Sequence, residues 1–324
     1  MIGDGHGRIP PYTDLPRDAA GAPVGWDVFG PGDALGRMNL QSTGAVAAAA
    51  RSVSRGAVFP LNAPHNFFTP PLFGRGKIRH TRLLLADGAA FDDVYDNYYP
   101  QASSQWDALS HEAYQTDTFY QGATAAEILR GERNGIEQWA ERGIVGRGVL
   151  LDASRALAGS ERPLDAGAST ALTVEDLELA RRQASIDFAP GDVVVIRTGF
   201  PEWYQQQDQA ARTAMSRPGG LAAAGIEHTE AMAQYVWDSG ASAFVSDAPG
   251  LEVWPPDSRP EAGPFGYLHR ILIGQFGLAI GELWWLADLA ADCAADGRYD
   301  FLLCSAPVNV RGGIGSPANA VAIK

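Results

Sequence analysis

The stretch QASSQWDALSH, residues 101–111, sets Asp107 and His111 four residues apart, with Gln101 and Gln105 upstream. A carboxylate and an imidazole held together bind a divalent metal or form a general acid–base pair. The same residues also read as a helix start, with Asp107 as a cap and His111 in a buried hydrogen bond. Farther along, His269 and Glu282 bracket an apolar run, RILIGQFGLAIG, long enough for a helix followed by a strand. A glutamate buried between Ile-Gly and Leu-Trp-Trp-Leu needs a metal or a donor network, because an unpaired carboxylate is costly away from water. A surface glutamate at a strand end needs neither.

These residues depend on the elements that carry them. GVLLDA (148–153) and GDVVVIRTGF (191–200) are short β-branched runs bounded by glycine, as buried strands are. Between them, LTVEDLELARRQAS offers Thr173 as a helix N-cap with Asp176 three residues on, which predicts a β-α-β unit. EHTEAMAQYVWDSG predicts a helix ending at Gly240, ASAFVSD the strand after it, and FLLCSAP and AVAIK the final strands. RHTRLLLADG predicts an earlier strand, and Pro100 closes FDDVYDNYYP, so 101–111 is expected as a loop entering a helix. With no internal repeat and no shift in composition, the expectation is one α/β domain over 1–324, with an extended N-terminal arm over about 1–35.

Among 324 residues, 38 are acidic and 25 basic, a net charge of −13. That field repels phosphate backbones and anionic membranes, so neither nucleic acid nor a membrane is an expected partner. Lys77 and Lys324 are the only lysines, which argues against Schiff-base chemistry. Cys293 and Cys304 are too few for a disulfide framework or a cysteine-built zinc cluster. The N-terminus has no apolar run of the signal-peptide kind, and a cytoplasmic location is expected. GxSxG, GxxxxGK[ST] and CxxC are missing from the sequence, and the serine-hydrolase and ATP readings fall with them.

On these residues the sequence resembles the cyclase superfamily, which includes bacterial kynurenine formamidase, isatin hydrolase and trans-dienelactone hydrolase. QASSQWDALSH is similar to the signature HxGTHxDxxxH, with Gln101 and Gln105 where the two leading histidines stand. DVVVIRTGF, SDAPGLEVWP and the closing FLLCSAPVNVRGGIGSPANAVAIK are similar as well. The resemblance covers most of the chain. It implies a swivelling β/β/α fold, a mixed barrel-like sheet with flanking helices. It also implies Asp107, His269 and Glu282 as metal ligands, His111 with Asp107 as the acid–base pair, and Mn2+ or Zn2+ as the ion. A carboxamide in place of imidazole is a weak oxygen donor, and zinc suffers most from the exchange. Two outcomes stay open. Either Gln101 and Gln105 complete an oxygen-rich site for Mn2+ or Mg2+, or no metal binds and the glutamines hydrogen-bond the substrate.

The function this implies is hydrolysis of a cyclic or aryl amide, lactam or lactone by metal-activated water. The alternatives are a metal-independent cyclase or isomerase of secondary metabolism and a catalytically silent ligand-binding relative. A small-molecule substrate and a homodimer or homotetramer are the expected partners. Trp106, His65 and Phe67 of the aromatic loop HNFFTPPLFGR, and Glu252 are candidate substrate contacts, with core packing the competing account of the aromatic residues.

Overall fold

The computed structural model describes residues 9–324. The first eight residues of the expected arm lie outside the described residues. The strands, in chain order, are β1 Val58–Pro60, β2 Arg79–Leu84, β3 Phe91–Asp96, β4 Gln105–Asp107, β5 Ile144–Asp152, β6 Ala171–Leu172 and β7 Val193–Arg197. They continue with β8 Gly225–Ile226, β9 Ala243–Ser246, β10 Ala279–Glu282, β11 Asp300–Ser305, β12 Gly315–Pro317 and β13 Ala320–Ile323. Nine of them form one sheet in the order β1-β13-β11-β5-β7-β9-β10-β4-β12, curled into a half-barrel with helices flanking it. Its centre, β5-β7-β9-β10, is parallel. Antiparallel strands complete both sides, β11, β13 and β1 on one and β4 and β12 on the other.

The parallel centre follows from composition. Val193, Val194, Val195 and Ile196 are all buried, as befits a strand covered on both faces. Each such side chain withdrawn from water stabilises the fold by about 1.5–3 kcal/mol. Helix Val174–Gln183 crosses from β5 to β7 as the sequence predicts, and Thr173 and Asp176 form a reciprocal capping box at its start. Helix Glu230–Asp238 begins at the Thr229 cap, and Gly240 past its end takes a left-handed φ of 70°.

The described part of the N-terminal segment is docked along its length. Trp237 Nε1 donates to the Pro10 carbonyl, and the fully buried Arg37 donates to the carbonyls of Trp237 and Ala241. Gly36 and Gly277 touch so closely that a Cβ on Gly36 would lie 2.0 Å from the Gly277 oxygen.

Residues 101–111 depart from expectation. A 3-10 turn at Pro100–Ala102 leads into strand β4, and a turn with no helix follows it, in which His111 N donates to the Ala108 carbonyl. The backbone of β4 is consumed by ladders to β10 and β12, strands far away in sequence, and these override the local helix-start signal.

Candidate metal and acid–base site

The site is assembled where β4 meets β10. Register pairs Gln105 with Glu282 and Asp107 with Ile280. Because side chains alternate along a strand, Gln105 and Asp107 share one face and Trp106 takes the other. Gln105 Nε2 donates to Glu282 Oε2 at 2.6 Å. His269 enters from the short helix Leu268–Leu272, with Nε2 2.9 Å from Glu282 Oε1 and Nδ1 hydrogen-bonded to Glu252 Oε1. One donor atom from each of Asp107, His269 and Glu282 lies within 4.8 Å of the others, and all three residues are buried.

Neither oxygen of Asp107 has a hydrogen-bond partner among the described residues, and the same holds for Gln105 Oε1. An unpartnered buried carboxylate beside a second carboxylate is a high-energy arrangement that a cation relieves. The three side chains therefore fit a divalent ion. Burial and the charge of Asp107 push the Glu282 carboxyl above its usual range, against the opposing pull of His269 and Arg75. Burial disfavours charge on His269, but the Tyr267 phenol beside it and hydrogen bonds to Glu252 and Glu282 outweigh it and leave the imidazole well above its ordinary pKa. A cation held at Nε2 would take the place of that proton.

His111 lies at the rim, its side chain 23% exposed and its Nε2 3.7 Å from Asp107 Oδ1. Gln101 sits in the 3-10 turn that leads into β4. Its amide lies against Gly315, the cross-strand partner of Asp107, where a Cβ would come 2.7 Å from its Nε2.

The remaining candidates lie in separate surroundings. Trp106 is fully buried on the opposite face, donates Nε1 to Ser305 Oγ, and packs edge-on against Trp139 and Trp284; it is core and not a pocket wall. Glu252 is also fully buried, its carboxylate turned to the helix that carries His269. Its carboxylate accepts the backbone N–H groups of Leu268 and His269 and the ring of His269, and His228 Nε2 stands 2.9 Å away. Burial opposes its ionisation, but the bonds from the two histidines hold its pKa below the usual range. An Nδ1–H committed to Glu252 leaves Nε2 as the ligand atom, the arrangement typical of metal-bound histidine. Phe67 joins a secondary aromatic cluster with Phe68, Tyr204 and Trp285. His65 stacks on Tyr98 and borders a cavity of about 400 Å³ with Ser103 and Ser104.

Sequence reasoning missed Tyr267, whose ring stacks 5.4 Å from that of His269, and Arg75, whose charge reaches both Asp107 and Glu282. The pairing of Glu252 with His269 had a faint signal, a glutamate set among apolar residues in GLEVWP.

Fold and site together define an α/β protein with a buried carboxylate–imidazole cluster at the boundary of a mixed sheet. A family model described as putative cyclase matches residues 61–253, and the chain belongs to that family. That span includes β4 and Glu252 and stops short of His269 and Glu282. A solved structure described as a novel cyclase has 31% identity and a TM-score of 0.79, over 93% of this chain and 99% of that one. Isatin hydrolase A from Ralstonia solanacearum has 20% identity and a TM-score of 0.59, over 86% and 95% of the two chains. Isatin hydrolase A from Labrenzia aggregata, bound to benzyl benzoate, has 17% and 0.58, over 82% and 93%. At those identities the two hydrolases share the fold. A search of curated proteins returned no match. No helix among the described residues is long and apolar enough to cross a membrane.

Proposed function

We propose that this chain hydrolyses a cyclic or aryl amide, lactam or lactone with a divalent ion held by Asp107, His269 and Glu282. The observation that carries this reading is the Asp107 carboxylate, buried with both oxygens unpartnered among the described residues beside an imidazole and a second carboxylate. With Gln105 Oε1 as a further oxygen donor, the set suits Mn2+ or Mg2+ better than Zn2+. When bound, such an ion lowers the pKa of water and polarises a carbonyl. His111, partly open to solvent, takes the proton from the attacking water and returns it to the departing nitrogen or oxygen. Isatin is a cyclic amide, so the isatin hydrolases sharing this fold support the substrate class.

The test is metal analysis of protein purified without chelator, then turnover of isatin, N-formylkynurenine and simple lactones with Mn2+ or EDTA. We expect hydrolysis that EDTA abolishes and Mn2+ restores, and that His111→Ala removes without changing metal content. Metal-free protein that instead closes a linear precursor into a ring overturns this reading in favour of the cyclase alternative.

The active form proposed is a homo-oligomer. Strands β2 and β3 pair only with each other and form a hairpin whose residues are exposed on both faces, including Leu84 at 57% and Phe91 at 68%. An isolated two-stranded hairpin is marginal in water. Its β2 strand carries Arg79 and Arg82 and its β3 strand Asp92, Asp93 and Asp96, a pattern that complements itself under a two-fold axis. A second copy of the chain is the partner that fits.

A further inference from the structure

Arg75 has no assigned part in the chemistry above. The one hydrogen bond its guanidinium makes among the described residues runs to the carbonyl of Gln101, and the guanidinium lies 4.8 Å from the Phe73 ring centroid. Phe73 holds that place from a left-handed backbone, φ 59° and ψ 23°, which a bulky side chain seldom adopts. A chain of ring contacts then leads to the metal ligands: Phe73 to Trp254 at 5.1 Å, Trp254 to Tyr267 at 6.3 Å, and Tyr267 to His269 at 5.4 Å. Gln101, the acceptor for Arg75, lies against Gly315, which pairs with Asp107.

Arg75 is partly buried, and among the described residues it forms no ion pair within 4.0 Å, although Asp107 and Glu282 lie close enough for their charges to favour its protonated form. None of its guanidinium nitrogens is both buried and unpartnered, so those not bonded to Gln101 stay open to a ligand with acceptor oxygens. On the reading proposed above, a divalent ion neutralises the two carboxylates, and the charge of Arg75 is left without a counterpart beside the reacting centre. We propose that Arg75 is the anion-recognising residue of the site: its planar fork receives a carboxylate on an aryl ligand, with Phe73 and Trp254 as the aromatic wall. The carboxylate belongs either to the substrate or to the acid released when an amide or ester bond is cleaved. Two parallel N–H···O bonds suit this geometry, and a lysine ammonium does not reproduce them.

The test compares binding of benzoate and benzamide, a charged and a neutral ligand of similar shape, to Mn2+-treated wild type, Arg75→Gln and Arg75→Lys by calorimetry, with metal content measured on each. A charge-assisted pair predicts roughly 10–100-fold tighter binding of benzoate in the wild type. Arg75→Gln is expected to lose that preference while its benzamide affinity and metal content stay unchanged, and Arg75→Lys to recover only part of it. Equal affinity of wild type for the two ligands, or full preference retained in Arg75→Gln, overturns the proposal. Metal loss in Arg75→Gln with preference intact assigns Arg75 to charge balance and overturns it too. Because binding is read without turnover, an Arg75-dependent preference in protein that holds no metal supports the anion site while removing the hydrolase reading.

Discussion

Replacing Glu252 by glutamine tests whether the carboxylate behind His269 governs the imidazole it holds. The carboxylate collects the Leu268 and His269 backbone N–H groups and the His269 ring, with His228 Nε2 at 2.9 Å. Glutamine is nearly isosteric but keeps a single oxygen. Its NH2 group then faces donors that the second oxygen served, so about two bonds to a charged acceptor are lost in a fully buried place. At about 1–3 kcal/mol for each donor left unsatisfied, the change costs about 2–6 kcal/mol, a large share of a typical folding stability of about 5–15 kcal/mol. A neutral amide is also a weaker acceptor for the imidazole than the carboxylate that fixes its tautomer, which lowers metal affinity by about 10–100-fold. Urea melts in EDTA read the first effect and calorimetric titration with Mn2+ the second. Glu252→Asp, which keeps the charge but draws it back by one methylene, is expected to fall between. A Glu252→Gln protein with an unchanged urea midpoint and unchanged Mn2+ affinity refutes the proposed role of this carboxylate.

Asp107→Asn removes the unpartnered carboxylate, so in EDTA it is expected to raise stability by about 1–3 kcal/mol while abolishing Mn2+ binding; a lower melting temperature in EDTA contradicts this. Leu84→Asp with Phe91→Asp, a cross-strand pair on the exposed hairpin, is expected to reduce the mass in solution to that of a monomer, measured by light scattering. Burial foremost, and the charge of Glu202, raise the Asp247 carboxyl to about 7 despite hydrogen bonds from Thr198 and Gly199. The unfolded chain releases that proton near pH 4, roughly. The folded state therefore binds the extra proton between those values, and the stability due to Asp247 falls as pH rises through the window. Asp247→Asn is expected to flatten that slope in urea melts, and an unaltered slope counts against it.

The readable parts of this chain were those whose pattern is local. The valine run of β7 and the Thr173 capping box each announce an element within a few residues, and both stand as read. β4 is three residues long and owes its existence to partners in β10 and β12, more than 170 positions away, so QASSQWDALSH carried a helix-like spacing that tertiary pairing overrode. That single reassignment moved Trp106 into the core, since the face a side chain takes is known only once the strand is. The carboxylate and imidazole types pointed to Asp107, His269 and Glu282, and the structure brings those three together. Arg75 and Tyr267 stayed invisible because their approach depends on loop paths, which no periodicity encodes.

The boundary between β10 and β4 divides the ligand set by mechanical support. Glu282 projects from a strand braced by the parallel centre, and His269 hangs from the helix just before it. Asp107 and Gln105 ride on a three-residue ribbon next to the outermost strand. Trp106 pins that ribbon to the core from its other face, so the coordination chemistry can be retuned at Gln105 and Asp107 while Glu282 and His269 stay anchored, and the glutamines of QASSQWDALSH fall on the adjustable side.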